Sequence, residues 1–222
     1  MEPATPIVDL RRVLNARFPH LRFSLPPPRR SESVATGIAQ LDALLGGGIP
    51  RGAFTELVAT GHSSGSAAII RQFIRHATLH GRFVALIDGL GSFDLEGISP
   101  EVLRRLLWIR CRNTHDALQA TDLLLRDRNV PICLLDLKIN PLRELRRLNA
   151  SSWHRYKRLV ELNRNTVLVL SPHPLVSGAT CRIELDGTVA IEANHPSNLE
   201  LLSRFHFRLL RAAGETAGLA AG

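Results

Sequence analysis

Apolar residues recur along this chain in two rhythms. Short unbroken apolar runs alternate with segments whose apolar positions fall three or four residues apart. The runs read as buried strands over Ala53–Ala59, Arg82–Asp88, Leu107–Cys111, Val130–Leu137 and Thr166–Leu170. Between them the helical spacing predicts helices over Ala67–His80, Pro100–Leu107, Thr114–Arg126 and Pro141–Asn163, with Thr114 as an N-cap. Strands that are apolar throughout, separated by helices, predict an α/β domain around a mostly parallel sheet covered on both faces.

The pattern differs at the two ends. Ile7–Phe18 reads as an amphipathic helix behind Pro6, with Val8, Leu10, Val13, Leu14 and Phe18 as its apolar positions. Pro26-Pro27-Pro28 enforces extended backbone and reads as a linker. Leu41–Leu45 is a short helix ended by Gly46-Gly47-Gly48, and Ile49–Gly52 is a turn. After Leu170, Cys181–Leu185 and Thr188–Ile191 flank Asp186-Gly187, a hairpin signal, and Arg204–Leu210 alternates like a further strand. An antiparallel extension is therefore expected after the parallel core. The expected organisation is a helix and linker over 1–30, the α/β domain over 31–212 and a frayed tail over 213–222.

Length fits this picture, since 222 residues suit one α/β domain with a small extension. No apolar run approaches the ~18 residues of a membrane span. Met1–Leu10 lacks a basic stretch followed by an apolar one. A cytoplasmic protein with no membrane partner is expected, with Cys111, Cys133 and Cys181 as buried thiols. The net charge of +8 is uneven: residues 1–30 carry +4 and residues 141–160 carry +5, and the rest nets −1. Localised positive charge suits a polyanion or an acidic partner, although solvated faces carry such charge too. Of the 28 basic residues only Lys138 and Lys157 are lysines, so lysine-dependent phosphate chemistry must use one of those two.

The strand, Gly/Ser loop and helix around residue 60 have the order of a phosphate-binding loop, G-x-x-x-x-G-K-[ST]. The matching stretch is Thr60-Gly61-His62-Ser63-Ser64-Gly65-Ser66-Ala67. Only Gly65 is retained. Ser66 stands where a lysine would face the terminal phosphates, and Ala67 where a hydroxyl would bind magnesium. Downstream, Val130–Asp136 has the form of a Walker B strand ending in Asp136. His76 and His80 lie one helical turn apart, but with no third ligand in sight no metal is expected.

These residues carry a resemblance. Thr36-Gly37-Ile38, Leu41-Asp42, Leu44-Leu45-Gly46-Gly47-Gly48-Ile49-Pro50-Arg51-Gly52 and the Ser63-Ser64-Gly65 loop resemble the start of the RecA recombinase core. Val84–Asp88 through Phe93-Asp94 is similar to its next strand, but the family's catalytic glutamate is Leu90 here. The similarity runs over 34–212 and is most specific in 36–65. A short RecA-like chain with a degenerate Walker A loop, an N-terminal helix and a basic balance resembles the ImuA family. Those are SulA-like or RecA-like accessory proteins of SOS-induced translesion synthesis. The resemblance implies a RecA-like fold and binding to RecA and to an ImuB-type, Y-family-like protein. It also implies indirect contact with a DnaE-type error-prone polymerase. Lysine, hydroxyl and glutamate are missing together, so a non-enzymatic protein with no cofactor is expected. A SulA-type division inhibitor acting on an FtsZ-like target and an ATP-dependent recombinase are the alternatives. In this reading Val8, Leu10, Arg11, Arg12, Val13, Leu14 and Phe18 form a RecA-docking helix.

The basic segment remains open between three readings. Arg143, Arg146 and Arg147 share one helical face by spacing, and Leu142, Leu145 and Leu148 point elsewhere, toward the sheet. Trp153, Arg155, Tyr156, Lys157 and Arg158 follow. Arginines with aromatics suit DNA, through phosphate contacts and base stacking. They equally suit a protein partner. A solvated helix with its aromatics in the core is the third reading.

Overall fold

A computed structural model describes residues 32–60, 65–186, 202 and 204–211. The elements, in chain order, are β1 (Ser33–Val34), α1 (Ala39–Leu44), β2 (Ile49–Pro50), β3 (Ala53–Ala59), α2 (Ser66–Leu79) and β4 (Val84–Asp88). Then come α3 (Pro100–Leu103), β5 (Leu106–Arg110), α4 (Thr114–Arg126), β6 (Ile132–Asp136), α5 (Leu142–Leu145) and α6 (Ala150–Asn163). Last are β7 (Thr166–Ser171), β8 (Cys181–Asp186) and β9 (His206–Arg211). The expected Ile7–Phe18 helix, the proline linker and the tail lie outside the described residues.

Seven strands form one sheet in the order β5-β4-β6-β7-β3-β8-β9. All neighbours are parallel except β8 and β9. This is the expected α/β architecture, consistent with a RecA-like fold. Alternation along the strands splits the core into two layers. Leu57, Leu86, Leu134 and Leu168 face Ile69, Ile70, Phe73 and Ile74 of α2, with Leu41 of α1 beside them. Phe54, Ile87, Leu135 and Val169 face Leu124 and Leu125 of α4 and Trp153, Tyr156 and Val160 of α6. Every residue of β3 is buried, as a central parallel strand requires. Cys111, Cys133 and Cys181 are buried free thiols.

The structure refines three expectations. The antiparallel partner of β8 is β9, paired from Asp186↔His206 onward, while Thr188–Ile191 lies outside the described residues. β8 also joins β3 in parallel, so it is an inner strand, and with β9 it forms the expected antiparallel extension. The segment Pro141–Asn163 is mostly helical, as expected, but as two helices rather than one. Asn149 accepts from the Ser151 amide and starts α6 afresh. Glu144 reaches back to the Thr114 amide (3.0 Å) and hydroxyl (2.8 Å), which fixes the one-turn α5 against α4. The N-cap of α4 is Asn113, one residue before the expected Thr114.

Candidate functional site at the carboxyl ends of the parallel strands

The stretch that most resembles the RecA core is used structurally. Asp42 of α1 accepts from the Thr36 amide and hydroxyl, both at 2.8 Å, and from the Gly37 amide at 3.1 Å. Gly37 sits at φ +76°, and a Cβ there would come within 2.7 Å of the His76 ring. The Gln72 amide closes the turn onto the Gly37 carbonyl at 3.0 Å. Threonine, glycine and aspartate thus fasten the entry strand to α1 and α2. His76 and His80 stack with ring centres 4.2 Å apart. Among the described residues no group of three or more His, Cys, Asp or Glu is placed to hold a metal.

β3 ends at Ala59 and α2 starts at Ser66, so the loop between them occupies the position of a phosphate loop. Gly61, His62, Ser63 and Ser64 lie outside the described residues. Gly65 is the left-handed N-cap of α2 at φ +72°, and as a glycine it brings no capping side chain. A Cβ on Gly65 would overlap the Phe205 ring, which is itself 1% exposed. An apolar ring therefore sits beside the first turn of α2. Ser66 and Ala67 open the helix where charge and a metal-binding hydroxyl would be needed. Among the described residues of the loop, Ser66 and Ala67 do not fit a magnesium-bound triphosphate.

The two acids at the strand ends are neighbours. Register pairs Asp88 of β4 with Asp136 of β6. Asp88 is 1% exposed and accepts from the amides of Ser92 (3.0 Å) and Phe93 (2.8 Å) and from the Trp108 indole (3.3 Å). It organises the loop that carries Leu90, the residue at the family's glutamate position. Asp136 accepts from the Lys138 amide at 3.0 Å. Burial, with a contribution from Asp88, pushes its carboxyl up to about 6, against the opposing pull of Lys138. Burial in turn lowers the Lys138 ammonium from its ordinary value, with Asp136 opposing.

Beside these acids a cleft of about 570 Å³ opens at the carboxyl ends of β3, β6 and β7. Thr60, Lys138, Asn140, Arg146 and His173 supply its polar lining. Lys138 is only 9% exposed and Asn140 only 3%. Asn140 is fixed by its amide group, which donates to the Thr114 hydroxyl (2.9 Å) and the Gly89 carbonyl (3.3 Å). Ligands of open α/β sheets bind at this end of the strands. The sequence singles out Thr60 and Arg146 for different surfaces; the fold brings them together. Lys138 was legible as one of two lysines, placed just after the strand-end acid, and His173 and Asn140 gave no local signal.

The basic segment divides. Arg143, Arg146, Arg147, Arg155 and Arg158 are exposed and Lys157 is half-buried. Trp153 and Tyr156 are each 2% exposed, which matches the reading with aromatics in the core and removes them from the candidate surface. Trp153 packs edge-on to Phe54, and the Tyr156 hydroxyl donates to the Leu118 carbonyl at 3.0 Å. Neither ring can stack on a base. Arg155 pairs with Asp122 at 3.2 Å, and Lys157 lies 3.9 Å from Glu161. Arg143, Arg146 and Arg147 spread over α5 and the turn after it instead of one long helical face. The candidate docking residues Val8–Phe18 lie outside the described residues. Among the described residues no helix is long and apolar enough to cross a membrane. No protein-family model matches the chain, and a comparison with curated proteins found no match.

Proposed function

We propose that this chain is a non-catalytic RecA-like accessory protein of SOS-induced, error-prone translesion DNA synthesis. It acts in the cytoplasm by binding RecA and an ImuB-type polymerase-like protein, and reaches a DnaE-type polymerase through the latter. One observation carries the loss of catalysis. The loop after β3 feeds into a helix that opens with Ser66 and Ala67, against the ring of Phe205. Phosphoryl transfer relies on a cation and a metal ligand there and on a group that activates water. Leu90 cannot be that group, and Asp88 beside it is taken up by the loop amides. The exposed arginines of 143–147 support binding as the remaining activity, with DNA or an acidic protein face as the counterpart.

Two measurements test this reading. The purified protein is expected to show no ATP turnover above background, with or without single-stranded DNA and RecA. It is expected to capture RecA and an ImuB-type protein in a pull-down. ATP turnover abolished by Asp136→Ala would overturn the reading. Filamentation on overexpression without those partners would instead favour a division inhibitor.

A further inference from the structure

We propose that the groove between α4 and α6 is the docking site for an acidic amphipathic helix of a partner protein. The two helices lie side by side and run in parallel. Toward their starts the Tyr156 hydroxyl donates to the Leu118 carbonyl at 3.0 Å, and at their ends the Asn163 side-chain amide donates to the Leu125 carbonyl at 2.7 Å. Helical spacing brings Leu123 and Arg126 of α4, and Arg155, Arg158 and Leu162 of α6, to the surface between them. Two hollows of about 590 and 880 Å³ meet there, with Arg155 lining both. Leu162 and Leu123 are the most exposed large apolar side chains among the described residues, at 71% and 69%. One exposed leucine needs no explanation, but here the two extremes line the two hollows of a single groove.

Charge selects the occupant. Arg126 and Arg155 share one carboxylate, Asp122, at 2.9 and 3.2 Å. Glu161, the other acid of the groove, lies 3.9 Å from Lys157. Arg158 is exposed and has no carboxylate partner among the described residues. The groove therefore keeps a surplus of positive charge around its leucines, which complements an apolar stripe edged by carboxylates. A helix laid along two parallel helices presents such a stripe at i, i+3 or i+4 and i+7. A nucleic-acid strand would gain little from the leucines, and the aromatic rings of α6 that could stack on bases are buried. A second copy would set like charge against like across a self-complementary contact. The inference goes beyond the translesion reading and does not rest on it, since any protein that supplies such a helix fits the groove.

Selection of a displayed library of helix-forming peptides, each about 16 residues so that a helix can hold, tests it on the full chain. The peptides recovered are expected to carry leucine-type residues at i, i+3 or i+4 and i+7 and a net negative charge. In fluorescence anisotropy the tightest of them should lose at least about tenfold in affinity with Leu162→Ser and with Arg158→Glu. Arg143→Glu, on α5 outside the groove, should change it less than about twofold. Leu162 and Arg158 are both exposed, so these variants keep the fold, which an unchanged unfolding midpoint checks. Recovery of no peptide, or of peptides without net negative charge, overturns the proposal. So does peptide binding that both groove variants leave unchanged. Tighter binding of an oligothymidylate than of any peptide, lost in Arg158→Glu, also overturns it and assigns the groove to nucleic acid. A dimer in sedimentation that Leu162→Ser abolishes overturns it in favour of a second copy. The RecA and ImuB-type pull-downs are read separately, so failure here leaves the translesion reading to its own test.

Discussion

Glu56 and Arg182 face each other in register on β3 and β8, with Glu56 Oε2 2.6 Å from Arg182 Nε. Glu56 has no exposed surface. Its other oxygen accepts from the Ser171 hydroxyl (3.0 Å) and from the amides of Leu175 (2.6 Å) and Val176 (3.0 Å). One buried carboxylate thus ties β3, β7, β8 and the loop after β7. Arg182→Met leaves that carboxylate buried without its cation, which should cost about 3–5 kcal/mol in urea unfolding. Glu56→Leu combined with Arg182→Met should recover only part of the loss. The double change removes both charges, but it strands the Leu175 and Val176 amides. Full recovery would show that those amides gain nothing from Glu56.

Asp136 should make stability depend on pH. Its carboxyl titrates near about 6 in the folded chain, well above the ordinary 3.8. The native state keeps its proton where the unfolded chain has released it. Stability should therefore fall as pH rises from about 4 to about 6 and level off beyond. Asp136→Asn keeps an acceptor for the Lys138 amide and removes the partly buried charge. It should flatten that slope and stabilise the protein at pH 7 by about 1–3 kcal/mol. Thermal unfolding between pH 4 and 8 reads both effects, and an unchanged slope would reject the role given to Asp136.

The inner strands β4, β6 and β7 were legible because they are buried on both faces. Phe54, Leu57 and Val58 mark Ala53–Ala59 as a strand, and its expected bounds are those of β3. The break at 146–149 was hidden because its cause lies elsewhere. Glu144 is drawn away to Thr114, thirty residues earlier, and spacing within the segment carries no sign of that. Trp153, Tyr156 and Val160 do carry the period of a buried stripe, but the surrounding arginines and lysine masked it. Lys138 and His173 meet Thr60 only because β7 lies between β6 and β3, an order that the chain does not spell out locally.

Gly65 should be intolerant of a side chain. At φ +72° an alanine carries a left-handed cost of about 1–2 kcal/mol. Overlap with Phe205 adds to it. Gly65→Ala should therefore destabilise by more than about 2 kcal/mol. Placed on a Phe205→Leu background, which frees space, the same change should cost closer to the backbone figure alone. A double-mutant cycle on unfolding free energies measures the difference. Strict additivity would remove Phe205 from contact with the loop.

The exposed arginines after β6 should matter for binding and not for folding. Arg143, Arg146 and Arg147 lie on solvent while Leu145 beneath them is 1% exposed, so the core does not depend on their charge. Replacing all three with alanine should shift unfolding by less than about 0.5 kcal/mol. Binding to single-stranded DNA or to an acidic partner should weaken, and the salt dependence of any DNA binding should become shallower by up to three counterions' worth. Arg146 also lines the cleft, so the pair Arg143→Ala and Arg147→Ala isolates the outer surface. If a low-salt gel shift and a pull-down with the pair both match the wild type, the outer surface makes no contact. Any loss seen in the triple variant then belongs to Arg146 in the cleft.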